Sequence, residues 1–267
     1  MSFTLLYYLT IGAFAGLLSG LLGVGGGLVI VPALLFLFQV QGFSSLHLMH
    51  LAVATSLATI VVTAAVSALA HHRRGAVDWS LVTRLIPGVL LGAFFGAWLA
   101  HRLPSEVMQR IFALFMLYVA LRMILQLNPT AVGGRTITAR EILFLPGIVI
   151  GMISTLVGIG GGSLTVPYLL YRHQAMLRAV ATSSACGVPI ALAGSAGFIL
   201  LGGQAGQLPS RSLGYIYYPA FFGIIAASVF FAPLGAHLAR RMPTAYLKRL
   251  FATFLLLVGI RMLFSVS

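Results

Sequence analysis

Two glycine-rich segments, 135 residues apart, carry the pattern in this chain that is best suited to binding an anion. The first reads Gly16-Leu-Leu-Ser-Gly-Leu-Leu-Gly-Val-Gly-Gly-Gly27, and the second reads Gly151-Met-Ile-Ser-Thr-Leu-Val-Gly-Ile-Gly-Gly-Gly162. Successive glycines remove side chains and tolerate left-handed dihedral angles, so a helix can open there and turn its amides towards a ligand. The helix that restarts after each cluster offers unpaired N–H donors and about half a positive charge at its N-terminus. Such an end can hold an oxyanion without a buried lysine.

Hydroxyl side chains follow both glycine clusters. Ala52-Val-Ala-Thr-Ser56 recurs as Ala179-Val-Ala-Thr-Ser183, and Ser154, Thr155 and Thr165 flank the second cluster. A hydroxyl donates to an oxyanion while remaining neutral, although its common alternative in a membrane helix is to bond a carbonyl of its own helix. We expect the substrate to contact Gly23, Gly25, Gly26, Gly27, Thr55, Ser56, Gly158, Gly160, Gly161, Gly162, Ser163, Thr182 and Ser183.

Other glycines are spaced four residues apart, as helices that pack closely require. They form the sets Gly12/Gly16/Gly20, Gly88/Gly92/Gly96 and Gly147/Gly151. Small residues at this spacing let two helix backbones approach each other in a membrane, so we assign these sets to packing. Three successive glycines exceed what packing needs, and this difference favours a functional break in the two clusters.

The composition predicts a protein embedded in a membrane. The 267 residues are 60% hydrophobic and 7% charged, with a mean hydropathy of +1.06. Apolar stretches run at about 3–40, 48–70, 80–100, 107–126, 141–171, 176–202, 214–239 and 245–265, most of them near the roughly 20 residues of a spanning helix. Strands are not expected, because apolar and polar residues do not alternate with a period of two. We therefore predict an all-α polytopic membrane protein.

The remaining composition argues against several other functions. The formal net charge of +13 clusters at helix ends, where it meets anionic lipid headgroups, and no basic motif accompanies it that would indicate nucleic-acid binding. The single cysteine, Cys186, excludes an intramolecular disulfide and a cysteine-rich metal site. Asp78, Glu106 and Glu141 each lie at the start of an apolar segment, where they complement a helix dipole. We predict neither an enzyme nor a metal or other cofactor, and the expected partners are a small anion and the lipid bilayer, with a homodimer left open.

A third repeated block shows that the chain is duplicated. Gly96-Ala-Trp-Leu-Ala-His-Arg-Leu-Pro104 aligns with Gly235-Ala-His-Leu-Ala-Arg-Arg-Met-Pro243, and the alignment continues to Arg122-Met123 and Arg261-Met262. The predicted organisation is an N-terminal membrane repeat at 1–126, a linker at 127–140 and a C-terminal repeat at 141–267, which together form one transport domain.

The distribution of basic residues predicts that the two repeats are inverted. If segments 3–40 and 141–171 each cross the membrane once, the lysines and arginines divide eight to eight between the two sides. If each segment is instead a re-entrant helical hairpin with the glycine cluster at its tip, the division becomes twelve to four. We therefore expect each repeat to contain one glycine-broken hairpin and three spanning helices, with both termini outside and the two tips meeting near the midplane.

The paired Gly-x-Gly-Gly-Gly-x-x-x-x-Pro segments, which end at Pro32 and Pro167 and are each followed by Ala-x-Ala-Thr-Ser, resemble the TauE/SafE family of sulfite and organosulfur-anion exporters. The resemblance covers nearly the whole chain. It implies a multi-pass transporter of the bacterial inner membrane for small sulfur-containing anions such as sulfite, sulfoacetate or related sulfonates.

The expected function is export of such an anion from a central site between the two glycine clusters. A negative cell interior drives an anion outwards, so no coupling carboxylate is required. An anion channel, or an ion-coupled importer of sulfur oxyanions or small organic acids, remains an alternative.

Overall fold

The computed structural model describes residues 2–22, 26–125, 143–203, 205–238 and 244–265. Ten α-helices occupy most of these residues: α1 (Ser2–Leu22), α2 (Gly27–Val40), α3 (Leu48–Arg73), α4 (Trp79–Arg102), α5 (Ser105–Ile124), α6 (Phe144–Val157), α7 (Gly162–Tyr171), α8 (Met176–Gly202), α9 (Tyr218–Leu238) and α10 (Thr244–Phe264). The predicted linker at 127–140 lies outside the described residues. The sequence prediction of two broken apolar segments is confirmed, because segment 3–40 forms α1 and α2 and segment 141–171 forms α6 and α7.

Five of the described helices are long and apolar enough to cross a membrane. They are α3 with the turn before it, α4, α5, α8 and most of α9. The sixth expected span corresponds to α10. The prediction of an all-α polytopic membrane protein is therefore confirmed.

One feature departs from the prediction that strands are absent. Between α8 and α9, the two-residue strands β1 (Ser212–Leu213) and β2 (Ile216–Tyr217) pair antiparallel. Strands of two residues are too short to leave an alternating pattern in the sequence.

The most extensive helix contacts among the described residues join one half of the chain to the other. Helix α1 packs on α9, and its counterpart α6 packs on α4, which is the counterpart of α9. Helix α3 packs on its counterpart α8, and α5 packs on its counterpart α10. The same set of contacts is recovered when the halves are exchanged, so the sequence duplication is also a structural one.

Glycines bring the backbones of α4 and α6 together. A Cβ atom on Gly96 would lie 3.1 Å from the Cα atom of Met152, and one on Gly88 would lie 3.0 Å from the Cα atom of Gly147. Residue numbers rise together along both helices, so α4 and α6 run parallel. The packing role assigned to these glycines is confirmed.

A second glycine interface joins α1 to α9. A Cβ atom on Gly16 would lie 2.8 Å from the Cα atom of Ser228, and one on Gly12 would lie 2.8 Å from the Cα atom of Ile224. These helices also run parallel, and the packing role of Gly12 and Gly16 is confirmed as well.

Counterpart helices, in contrast, run antiparallel. Ser67 on α3 donates a hydrogen bond to Ser184 on α8. Leu57, which lies earlier on α3, contacts Gly194, which lies later on α8. On α5, Gln109 donates to the carbonyl oxygen of Met262 near the end of α10. Two halves of opposite orientation require that counterpart helices run antiparallel. The orientation of each half in a membrane stays a prediction.

Each broken segment folds back on itself. In the first half, the Tyr8 hydroxyl and the Gln41 side-chain amide are hydrogen-bonded at 2.9–3.0 Å. Tyr8 precedes the end of α1 by 14 residues and α2 is 14 residues long, so both arms extend about 21 Å from the tip. Equal arms with joined ends make α1 and α2 a hairpin.

The second hairpin follows from helix directions. Helix α4 runs parallel to α6, and it also runs parallel to α8, since the Asp78 amide bonds Thr182 near one end and Gly197 contacts Ala97 towards the other. The four residues from Arg172 to Ala175 connect the end of α7 to the start of α8, and α7 packs antiparallel on α8. Helices α6 and α7 therefore run in opposite directions.

Candidate functional site

The second glycine cluster forms an open turn between α6 and α7. Gly158 and Gly161 both have left-handed backbones, with φ of 77° and 76°, which side-chain-bearing residues rarely adopt. The Ile159 amide still bonds the Ser154 carbonyl oxygen at 2.9 Å, and the first intrahelical bond of α7 is donated by the Leu164 amide to Gly161. The amides of Gly162 and Ser163 consequently lie at the open, electropositive end of α7.

The first glycine cluster is described from Gly26 onwards, and its expected contact residues Gly23 and Gly25 lie outside the described residues. Gly26 precedes α2 and accepts hydrogen bonds from the amides of Val29 and Ile30. Its backbone is right-handed, with φ of −70°. At this position the two clusters therefore differ in conformation.

The two tips are in contact. A Cβ atom on Gly27 would overlap the carbonyl oxygen of Gly158 and would lie 3.1 Å from the Cα atom of Ile159. Only a glycine allows this approach of the two backbones. The prediction that the glycine tips meet is confirmed among the described residues.

Ser56 joins the first half to the second tip. Its hydroxyl on α3 donates a hydrogen bond of 2.9 Å to the Gly158 carbonyl oxygen, and both groups are buried. This contact places one expected site residue of the first half directly at the second glycine cluster.

Thr55 and Thr182, which occupy the same position in the repeated motif, make equivalent contacts in opposite halves. The Thr55 hydroxyl accepts a 3.1 Å hydrogen bond from the Tyr217 amide, immediately before α9. The Thr182 hydroxyl accepts a 3.1 Å bond from the Asp78 amide, immediately before α4. Each threonine therefore fixes the first turn of a helix in the other half.

Five serine and threonine hydroxyl oxygens on α6, α7 and the first half of α8 are buried and make no hydrogen bond within the protein. They belong to Ser154, Thr155, Ser163, Thr165 and Ser183. Ser154, Thr155 and Thr165 are at most 1% exposed. A buried hydroxyl without a partner costs about 1–3 kcal/mol, so a group of five needs a physical reason.

Two of these hydroxyls, those of Ser154 and Thr165, lie beside Gly161 at the open end of α7, whereas the Thr155 hydroxyl faces Gly194 on α8. The Thr165 hydroxyl oxygen lies 3.4 Å from the position of a Cβ atom on Gly161, and the Ser154 hydroxyl oxygen lies 3.7 Å from it. Gly161 is thus flanked by two unpartnered hydroxyls, one from each arm of the hairpin.

Apolar side chains enclose this turn. The Ile190 Cδ1 atom lies 2.7 Å from the Cβ position of Gly161, and the Ile60 Cγ2 atom lies 2.7 Å from that of Gly160. Low local dielectric strengthens any hydrogen bond that a ligand would make with the hydroxyls. The arrangement can bind an oxyanion through neutral donors and the positive end of a short helix.

The first tip has no matching set of hydroxyls. In the repeat alignment, Gly20, Leu28 and Ile30 stand where the second half has Thr155, Ser163 and Thr165. The candidate site is therefore centred on the second half. Ser154, Thr155 and Thr165 were not in the expected contact set. The sequence shows the difference between the repeats at Thr155 and Thr165, whereas Ser154 has a serine counterpart, Ser19.

Away from the second tip, Tyr215, in the segment between α8 and α9, contacts three histidines. Its ring stacks on His50 with centroids 5.0 Å apart, and its hydroxyl lies 3.0 Å from Nδ1 of His101. The ring of His47 is also in contact, at 5.5 Å. Burial raises the pKa of Tyr215, so this hydroxyl stays protonated at neutral pH. Sequence reasoning did not anticipate this cluster, because its members come from three separate parts of the chain.

Within the described ranges, no group of three or more histidine, cysteine, aspartate or glutamate residues is placed to hold a metal ion. Cys186 is buried in α8 and is not disulfide-bonded.

The chain is similar to known membrane proteins over nearly its whole length. Residues 8–262 match the family described as Sulfite exporter TauE/SafE. A probable membrane transporter protein of Haemophilus influenzae is 40% identical over 258 residues, 97% of this chain and 97% of that protein. Probable membrane transporter proteins of Methanocaldococcus jannaschii and Bacillus subtilis (YunE) are 26% and 27% identical over 95% and 99% of this chain, covering 93% and 98% of their own lengths. No solved structure matches the chain.

Proposed function

The chain belongs to the TauE/SafE family and is a membrane transporter, and from that premise we propose that it exports small sulfur-containing anions such as sulfite and sulfonates. The proposed site is the turn between α6 and α7. The anion accepts hydrogen bonds from the hydroxyls of Ser154, Thr165 and Ser183 and from the amides that open α7.

The observation that carries this proposal is the pair of buried hydroxyls, those of Ser154 and Thr165, that lie beside Gly161 without protein partners. An oxyanion presents several acceptor oxygens, which match hydroxyl and amide donors. Binding it there would give those donors the hydrogen bonds that the protein itself does not supply. Neutral donors also suit a site that must release its ligand, because they leave no fixed charge that holds the anion permanently.

Export is the proposed direction because of the membrane potential. At an interior potential of about −100 mV, each negative charge favours the outside by about 2.3 kcal/mol, roughly fifty-fold in concentration. We place the protein in the bacterial inner membrane, with inverted repeats and both termini outside, following the twelve-to-four division of basic residues.

The test is sulfite and sulfoacetate flux from proteoliposomes with an imposed potential, measured for the wild type and for Thr165→Val. Valine keeps the shape of threonine and removes only its hydroxyl. Loss of a hydrogen bond to a charged ligand is worth about 1.5–3 kcal/mol, so we expect the half-saturating anion concentration to rise roughly ten- to a hundred-fold.

Thr253→Val is the matched control. Thr253 lies on an exposed face of α10, and its hydroxyl donates to the Arg249 carbonyl oxygen of its own helix at 3.0 Å. The control should transport as the wild type does. Equal half-saturation in the two variants would reject the site, and absence of sulfite or sulfonate flux from the wild type would reject the substrate class.

A further inference from the structure

A groove of about 320 Å³ is lined by the two arms of the first hairpin, by α10 and by the start of α5. Its inner part is apolar and is lined by Phe14 on α1, Val29 and Pro32 on α2, and Phe254 and Val258 on α10. The Phe14 and Phe254 rings meet edge to face at 6.3 Å. The volume falls in the range of small-molecule sites, which begin near 300 Å³.

One end of the groove is polar. Gln39, Gln109, Arg261 and Ser265 lie there, at the ends of α2 and α10 and the start of α5. The Arg261 guanidinium sits over the Phe36 ring at 5.5 Å and therefore reaches across the groove from α10 to α2. The described lining residues include no carboxylate that would neutralise this cation.

We propose that this groove binds one molecule of an anionic phospholipid, with an acyl chain in the apolar part and the phosphate at Arg261. Arg261 follows Phe254 by seven residues on α10, which separates the charged and apolar ends by about 10 Å. This spacing matches an amphiphile that lies along the helix with its head at the membrane interface. A guanidinium recognises a phosphate through charge-assisted hydrogen bonds.

Charge complementarity and asymmetry distinguish this groove from ordinary lipid contact. Arg122 is the counterpart of Arg261 in the repeat, yet its guanidinium lies over Tyr118 of its own helix, at 5.9 Å. Arg261 instead faces an aromatic ring of another helix across an open groove. Both halves thus carry an arginine at this position of the repeat, but only Arg261 borders the groove.

The test is the number of phospholipids retained by the purified protein in native mass spectrometry, with phosphatidylglycerol and phosphatidylcholine supplied in equal amounts. We expect the wild type to retain phosphatidylglycerol roughly ten-fold more strongly. Arg261→Gln should abolish this preference, while Arg122→Gln, which removes the same charge at the counterpart position, should keep it.

Two further variants separate the groove from the surrounding lipid. Ala33→Phe fills the groove beside Pro32 and should displace the retained lipid, whereas Ala70→Phe makes the same change on an exposed face of α3 and should not. The melting temperature of each variant, taken with phosphatidylglycerol and again with phosphatidylcholine, separates lost binding from lost folding.

Three results would overturn the proposal. They are equal retention of the two lipids by the wild type, an equal preference in Arg261→Gln and Arg122→Gln, and stabilisation by inorganic phosphate alone that matches the effect of phosphatidylglycerol. The first two would leave only non-specific lipid contact, and the third would indicate a phosphate site.

Discussion

The Ser56 hydroxyl donates a 2.9 Å hydrogen bond to the carbonyl oxygen of Gly158, across 102 residues of sequence. Gly158 is the left-handed residue that ends α6, so Ser56 holds the position at which the second hairpin turns. Its counterpart Ser183 makes no hydrogen bond within the protein. The same residue of the repeat therefore supports the second tip in one half and makes no hydrogen bond within the protein in the other.

Replacing Ser56 with alanine should destabilise the second tip. The buried Gly158 carbonyl would lose its donor, at a cost of about 1–2 kcal/mol. The melting temperature in detergent measures this loss. Ser228→Ala is the control, since that hydroxyl bonds the Ile225 carbonyl of its own helix, and its removal should change stability little. Equal losses in the two variants would contradict the role of Ser56.

Thr55→Val and Thr182→Val should each loosen one helix start in the opposite half. Removing the acceptor costs about 1 kcal/mol, roughly a five-fold faster exchange of the amide hydrogen involved. Hydrogen exchange should show this at Tyr217 for Thr55→Val and at Asp78 for Thr182→Val. Each variant is the control for the other, and faster exchange of both amides in either variant would show a general loss of structure.

Thr165→Val should make the protein more stable while it weakens anion binding. The Thr165 hydroxyl is buried without a partner, so removing it relieves a cost of about 1–3 kcal/mol in the absence of ligand. The melting temperature without anion should rise, and the increase caused by adding sulfite should shrink. A fall in the melting temperature without anion would mean that the hydroxyl serves the fold.

Gly161→Ala should cost more stability than Gly75→Ala. Both glycines are left-handed, with φ of 76° and 66°, so both variants carry a conformational cost of about 1–2 kcal/mol. At Gly75 the added methyl group meets no atom within 4 Å, whereas at Gly161 it lies 2.7 Å from the Ile190 Cδ1 atom. Melting temperatures should separate the two variants, and flux should fall only in Gly161→Ala.

Cysteine labelling tests the inverted topology. Gly75 follows α3 and Gly206 follows α8, both are exposed, and α3 and α8 run antiparallel. A membrane-impermeant maleimide added to intact cells should label Gly206→Cys and leave Gly75→Cys unlabelled until the cells are opened. The wild type is the control, because Cys186 is buried. Labelling in the reverse order would place the termini inside.

The positions at which the helices begin, end and break could be predicted from the sequence, because apolar composition and glycine clusters are local properties. The hydrogen-bond partners of the serine and threonine hydroxyls could not be predicted from the sequence. Thr55 bonds an amide 162 residues away, and the two repeats give identical sequence around Ser56 and Ser183, whose hydroxyls have different environments. The hydroxyls of Ser154 and Thr165 became candidates only when their burial and the approach to Gly161 were known.

The pairing of helices between the halves has a consequence for biosynthesis. When α1 to α5 have left the ribosome, the glycine faces of α1 and α4 have no helix to receive them, since α9 and α6 are made later. Lipid must cover those faces until the second half inserts and displaces it. The first half is therefore an unfinished assembly for as long as translation continues. If the chain is truncated after α5, the inserted helices lack the partners on which they mainly pack.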